Sequence, residues 1–359
     1  MIIDLSLQRY ALLALLAAAL FGASPPIAKL LLADTSAQIL AGLLYLGSGL
    51  GLLALWLARR LIRGRGDGLP RIGLHGKDWG WFGGAILSGG VLGPLLLMWG
   101  LQTSLASSAA LLLNLEGVLT TLLAGLLFRE AVGRRVWLAA LLMLAGGLLL
   151  SYDPRARFSL SPGSLAIVGA CLMWGLDNNL TRNISTGDPG FIAMGKGLVA
   201  GGINLALGLA QGGHLPSAAT LMGGMLLGFL SYGVSLVLFI LALRHLGSAR
   251  TGAHFSTAPF FGATLAVLWL GEPASPLFVL AVGLMVLATW LVLSERHEHE
   301  HHHSYQAHRH GHVHDEHHRH PHPNGWDGEE PHSHWHEHQP LIHSHRHLPD
   351  IHHRHGHAQ

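Results

Sequence analysis

The feature that most constrains this chain is a succession of apolar runs, each about as long as a bilayer is thick. Crossing about 30 Å of hydrocarbon at 1.5 Å per residue takes about 20 residues. Runs of that length lie near 10–32, 36–58, 80–101, 106–128, 133–152, 163–184, 188–210, 219–243, 248–270 and 275–294. Lipid offers no partner to backbone N–H and C=O groups, so such runs must satisfy them internally, as helices. They predict an all-α membrane protein of about ten transmembrane helices. Turn-forming clusters separate them, among them "ADTS", "STGDPG", "QGGHLPS" and "GEPASP". The run 80–101 is the poorest helix former, because it holds Gly89, Gly90, Gly93 and Pro94. The 47 glycines suit close helix packing, where lipid supplies no hydrophobic drive and van der Waals contact must do so. After Leu293 the character changes abruptly to polar, so a membrane domain is followed by a tail.

Lysine and arginine orient the spans. With the amino terminus in the cytoplasm, inner loops and span ends carry Arg59, Arg60, Arg63, Arg65, Arg71, Lys77, Arg129, Arg134, Arg135, Arg182, Arg244 and Arg250, whereas outer loops carry Arg155 and Arg157. This asymmetry predicts a multi-pass protein of the bacterial inner (plasma) membrane with both termini, and hence the tail, cytoplasmic. The segment from Arg9 to Ser24 has the outline of a secretory signal. A later segment repeats its pattern, which argues for a retained span: Phe21-Gly22 and Lys29 in the first run correspond to Trp174-Gly175 and Arg182 in the sixth.

Similarly "LLFRE", ending at Glu130, corresponds to "LWLGE", ending at Glu272. An odd number of spans per repeat turns the second copy over, the arrangement common among secondary transporters. The expected units are residues 1–152 and 153–294, two five-helix repeats in a 5+5 inverted arrangement, and 295–359, a disordered His-rich tail. Over roughly 10–294, the ten runs, the paired halves and the two glutamates resemble the EamA-type members of the drug/metabolite transporter superfamily. The resemblance implies a transporter, not an enzyme, working by alternating access through a cavity lined by spans 1, 3, 4, 6, 8 and 9.

Ionisable groups inside spans are costly and therefore functional candidates. Glu116 and Asn114 fall in the fourth run, Asp177, Asn178 and Asn179 in the sixth, and His254 in the ninth. Brought together, two carboxylates, an imidazole and amide oxygens form an oxygen and nitrogen ligand set suited to Ni²⁺, Co²⁺ or Zn²⁺. Such ligands must shed protons to bind metal, which fits proton-coupled antiport. A structural reading stands beside this one, in which Asp177 forms an ion pair with Lys29 or Lys196. Lys29 and Arg182, near span ends, are expected to snorkel to the interface. Cys171, the single cysteine, rules out an internal disulfide and a Cys-based zinc site.

The tail carries 24 of the 28 histidines. They form ladders of alternate residues: His297, His299, His301, His302 and His303; His308, His310, His312 and His314; His317, His318, His320 and His322; His332, His334, His336 and His338; His343, His345 and His347; and His352, His353, His355 and His357. Alternate residues of an extended chain point the same way, so each ladder presents several imidazoles together, good ligands for divalent transition metals. A fold of this superfamily with a His-rich end is similar to its nickel/cobalt-resistance exporters. The expected function is export of divalent metal, Ni²⁺ or Co²⁺ before Zn²⁺, by proton antiport. The alternative is an amino-acid or metabolite exporter whose tail only senses or buffers metal. The expected partners are the metal ion as substrate, protons, and the bilayer, without a resident cofactor or nucleic acid; a homodimer is left open. The isolated tail, 295–359, should bind several Ni²⁺ or Zn²⁺ ions at neutral pH and release them between about pH 7 and 5, because protons compete for imidazoles of pKa about 6.5. Titration calorimetry without metal-dependent heat at neutral pH would remove this expectation.

Overall fold

The computed structural model describes residues 5–63, 74, 76–128, 134–151, 161–184, 188–293, 298–303, 306–312, 332–338 and 341–346. Fourteen α-helices run in chain order among them: α1 (Leu5–Gly22), α2 (Ser24–Leu31), α3 (Ala37–Arg63), α4 (Asp78–Ala85), α5 (Gly93–Thr103), α6 (Ala106–Leu112), α7 (Leu115–Phe128), α8 (Arg134–Ser151), α9 (Pro162–Arg182), α10 (Pro189–Ala210), α11 (Ala218–Gly228), α12 (Ser235–Phe255), α13 (Ala258–Trp269) and α14 (Pro276–Leu293). Among the described residues six helical segments are long and apolar enough to cross a membrane: Gln8–Leu31, Ala37–Ile62, Asp78–Thr103, Ala106–Leu123, Gly190–Ala210 and Ala218–Ala242. Trp137–Ser151 and Pro276–Val292 are shorter apolar helices.

The departures from regular helix come in pairs. A π-helical segment, Ile86–Leu92, joins α4 to α5, and a second, Phe229–Val234, joins α11 to α12. The first coincides with Gly89 and Gly90, in the run that forms helix least readily. A break at Leu113–Asn114 separates α6 from α7, and one at Ser256–Thr257 separates α12 from α13. Both breaks are closed the same way. Asn114 Nδ2 donates to the carbonyl three residues back, Leu111, at 3.0 Å, and Ser256 Oγ donates to that of Ala253 at 2.8 Å. Each second member follows its counterpart by 142 or 143 residues.

No loop interrupts α12 where a turn was expected between the eighth and ninth runs. The chain nevertheless folds back there. Sixteen residues of straight helix would separate Phe239 from Phe255 by about 24 Å, yet their ring centroids are 4.9 Å apart. The backbone must therefore leave a straight helical path between these two residues, in a stretch that includes "RHLGSAR" and contains no proline.

Packing rests on small residues. Along α10, Gly197 lies against the backbone of Gly49 and Tyr45 in α3, and Gly201 against Leu46 and Gly42. A Cβ at Gly201 would stand 2.5 Å from the Leu46 backbone nitrogen. Four-residue spacing puts both glycines on one face, which lets the two helices touch backbone to backbone. Larger side chains, including Leu97, Leu101, Leu111, Leu112, Ile167 and Met285, fill the core between α5, α6, α9 and α14.

Four short strands are described in the tail. Strand β1 (Glu298–His303) pairs antiparallel with β4 (Leu341–Arg346), and β2 (Gln306–His312) with β3 (His332–His338). The alternation of histidine with other residues already has the period of a strand. The register sets His299 opposite His345, His301 opposite His343, and His308, His310 and His312 opposite His336, His334 and His332. His297, His314, His317, His318, His320, His322, His347, His352, His353, His355 and His357 lie outside the described residues, as does Glu130.

Gly201→Val should destabilise the protein by about 1–3 kcal/mol through overpacking against fixed backbone. Gly202→Ala, where an added Cβ meets nothing within 4 Å, should be tolerated. Thermal unfolding in detergent reads both, and an unchanged midpoint for Gly201→Val would contradict the close approach.

Candidate functional site

Near its C-terminal end α9 carries Asp177, Asn178 and Asn179 in succession. Consecutive helical residues point about 100° apart, so each meets a different neighbour. Asp177 is buried at 5% exposure and its Oδ2 takes an ion pair from Lys196 Nζ of α10, while Thr181 Oγ1 donates to Oδ1 at 3.1 Å. Asn178, which is exposed, donates through Nδ2 to Glu116 Oε1 at 3.0 Å and to Thr120 Oγ1 at 3.3 Å. Buried Asn179 donates to the carbonyls of Thr120, at 3.0 Å, and Gly175, at 2.8 Å, tying α9 to α7.

Glu116 is in the first turn of α7, just past the break at Leu113–Asn114. That position sets its carboxylate near the positive end of a half-helix inside the membrane domain, as discontinuous transporter helices do. Asn178, the neighbour of Asp177 on α9, ties Glu116 to the vicinity of the Asp177–Lys196 pair.

The π-helical segment Ile86–Leu92 forms the opposite wall. A π turn frees carbonyls from the regular i to i+4 ladder, and such turns gather at functional sites. Here the freed oxygens find side-chain donors. Tyr45 OH, at 2.7 Å, and Trp174 Nε1, at 2.9 Å, both donate to the Gly89 carbonyl. Asn204 Nδ2 donates to the carbonyls of Gly90, at 3.3 Å, and Val91, at 3.4 Å. The Gly89 position also makes room for the carboxylate: a Cβ there would fall 2.0 Å from Asp177 Oδ2. Tyr45 in turn stacks obliquely on Tyr232 of the second π segment, with centroids 5.6 Å apart.

The structure gathers only part of the expected set. Glu116, Asp177 and Asn178 share this region. Asn114 instead closes its helix break and approaches Met285 Sδ at 4.0 Å. His254 lies half-buried in the last turn of α12, next to Phe255, whose ring packs on Phe21 and Phe239. Among the described residues no three of His, Cys, Asp and Glu lie together closely enough to hold a metal ion. Of the two partners considered for Asp177, Lys196 has taken the role. Lys29, near the end of its span, donates through its ammonium to the Ser104 carbonyl and lies 3.8 Å from Glu272 Oε1. Glu272 reaches back to cap α6, accepting from the backbone N–H of Ala106 and Ser107 at 2.8 Å each. Sequence reasoning passed over Tyr45 and Thr120 and took Trp174 only as a repeat landmark, since aromatic and hydroxyl residues in apolar runs carry no signal of a site on their own.

Comparison with known proteins follows the same lines. The EamA-like transporter family matches residues 8–152 and 161–294. The chain is 30% identical over 191 residues to an uncharacterized transporter of Methanothermobacter thermautotrophicus, covering 52% of this chain and 56% of that protein. It is 35% identical over 172 residues to an uncharacterized protein of Pseudomonas aeruginosa, covering 48% of this chain and 59% of that one. The matches therefore span little more than half the length of these curated relatives. A solved crystal structure, 18% identical, aligns with 79% of this chain and 95% of its own at a TM-score of 0.58, so the two share a fold.

Tyr45→Phe or Trp174→Phe removes one of two donors to the Gly89 carbonyl and should cost about 1 kcal/mol. The double variant leaves that carbonyl without either donor and should lose more than the two single losses combined. Unfolding midpoints of the three proteins test this, and simple additivity would show that the carbonyl is satisfied otherwise.

Proposed function

Because the chain belongs to the EamA-like transporter family, we propose that it is a secondary transporter that exports a divalent transition metal, Ni²⁺ or Co²⁺ before Zn²⁺, in exchange for protons. The observation that carries this reading is the tail, 24 histidines in ladders joined to a transporter domain. On this reading the tail, at 295–359, is cytoplasmic and meets the ion before export, so it collects and delivers substrate. An uptake system would place its collector outside.

The transport domain is proposed to be a 5+5 inverted repeat, 1–152 and 153–294, in a bacterial inner membrane with both termini cytoplasmic. The paired π segments, the paired breaks and their matching bonds from Asn114 and Ser256 support the repeat. So does the family's match to two successive stretches of the chain. Glu116 and Asp177 are proposed to bind the ion and protons in competition, with Asn178 contributing its amide oxygen. His254 and Asn114 join only if the helices move, because in this conformation neither bonds to the carboxylates.

One observation favours the second reading, an amino-acid or metabolite exporter with a regulatory tail. Asp177 and Lys196, opposite charges side by side near Tyr45 and Trp174, would complement a zwitterion.

Efflux measured in everted vesicles separates the two. Glu116→Gln and Asp177→Asn keep size and remove a charge, and each should lower Ni²⁺ or Co²⁺ transport about tenfold or more at equal abundance, equivalent to about 1.4 kcal/mol or more. Near-normal metal efflux by both variants would remove the carboxylates from the mechanism, and amino-acid efflux by the wild type without metal efflux would establish the second reading.

A further inference from the structure

Where α6 begins, one contact ties early and late parts of the chain together. Glu272 Oε1 and Oε2 accept the backbone N–H groups of Ala106 and Ser107 at 2.8 Å each. Lys29 joins them, donating to the Ser104 carbonyl and lying 3.8 Å from Glu272 Oε1. Gly271, at φ +66°, ends α13 and lets Glu272 turn inward, where its side chain is 9% exposed. On either side the chain is at the surface: Gly271 and Pro273 are exposed, as are Thr103 and Leu105 beside buried Ser104. The contact is therefore a thin layer at one end of the bundle. The Asp177 region lies well below it. Ser104 Oγ is close to Gly163, where an added Cβ would fall 2.4 Å away. Gly163 and Asp177 are 14 residues apart on α9, about 21 Å along its axis.

Ser104 Oγ is buried and has no hydrogen-bond partner among the described residues, an exception to the rule for buried hydroxyls. A serine in extended backbone readily accepts the N–H two or three residues on, as capping serines do. Ser104 has such a backbone, with φ −108° and ψ 159°. The N–H groups two and three residues on are those of Ala106 and Ser107, the pair that Glu272 holds. A near acceptor and a distant one thus compete for the same donors. We propose that the Lys29–Glu272 contact with the start of α6 is the outer gate of the transport path, and that Ser104 is its alternative latch. When the gate opens Glu272 withdraws, and Ser104 Oγ turns from Gly163 to the N–H of Ala106. The helix start then keeps an acceptor in both states, so opening does not leave two donors unmet. On the orientation proposed above this end faces outward. The gate serves any solute leaving the Glu116 and Asp177 region, whichever class it belongs to.

The test is the reactivity of a cysteine at position 107. Ser107 is fully buried and its hydroxyl has no partner among the described residues, so Ser107→Cys removes no bond seen there. In the full-length protein carrying Cys171→Ala, a membrane-impermeant maleimide applied to intact cells should label it slowly. Glu272→Gln keeps the size and discharges the contact with Lys29, and should speed labelling about tenfold. Ser104→Ala, made in both backgrounds, should slow labelling about fivefold and leave the unfolding midpoint unchanged, because its hydroxyl bonds nothing in the closed state. If Glu272→Gln lowers the midpoint without speeding labelling, the contact is a structural cap and the gate is overturned. An unchanged labelling rate in Ser104→Ala overturns the latch. Faster labelling only in everted vesicles overturns the outward placement. Labelling is read with no solute being transported, so these outcomes stand apart from the presence or absence of Ni²⁺ efflux.

Discussion

An ion pair in the interior of a membrane domain sets the terms for everything around it. Neither Asp177 nor Lys196 could be buried alone, since removing one partner of a buried pair costs about 3–5 kcal/mol. Their union requires α9 and α10 to approach at a fixed height, and a neighbour without side chains where the carboxylate projects. The π-helical segment meets that need with Gly89 and Gly90. Having departed from regular helix, it must find donors for its loosened carbonyls, and Tyr45, Trp174 and Asn204 provide them from three other helices. One electrostatic requirement thus propagates into backbone geometry and then into the choice of aromatic and amide residues on α3, α9 and α10.

Much of the architecture was legible because lipid imposes simple rules. Run length placed most helix ends within a few residues but missed that α12 runs on from the eighth run into the ninth, and Gly89, Gly90, Gly93 and Pro94 marked one of the two runs that contain a π-helical segment. What periodicity could not supply was the identity of contacts across the fold. Lys29 and Lys196 were equal candidates for Asp177 by composition, and only the placing of α9 and α10 against the same π-helical segment selects Lys196. Lys29 looked like a residue bound for the headgroups, and its pairing with Glu272, distant in sequence and known only as a repeat landmark, could not be read from the runs. Asn114 read as a ligand because amides inside spans suggest function, whereas a broken helix needs just such a donor to close its end. In the tail, the two-residue period of the histidines is also the period of the short strands described there.

The cap on α6 has a bearing on biogenesis. A helix begins with backbone N–H groups that its own turns cannot satisfy, and those of Ala106 and Ser107 are met by the two oxygens of a residue 166 and 165 positions later in the chain. During synthesis the first half enters the bilayer with that helix start unmet, and it stays so until Glu272 emerges. Assembly is therefore completed from the C-terminal end backwards: arrival of the residues around Glu272 fixes the start of α6 and recruits Lys29 in the same event. A ribosome that stalls before that point leaves a nascent chain whose fourth span is inserted but not anchored, a natural substrate for membrane quality control.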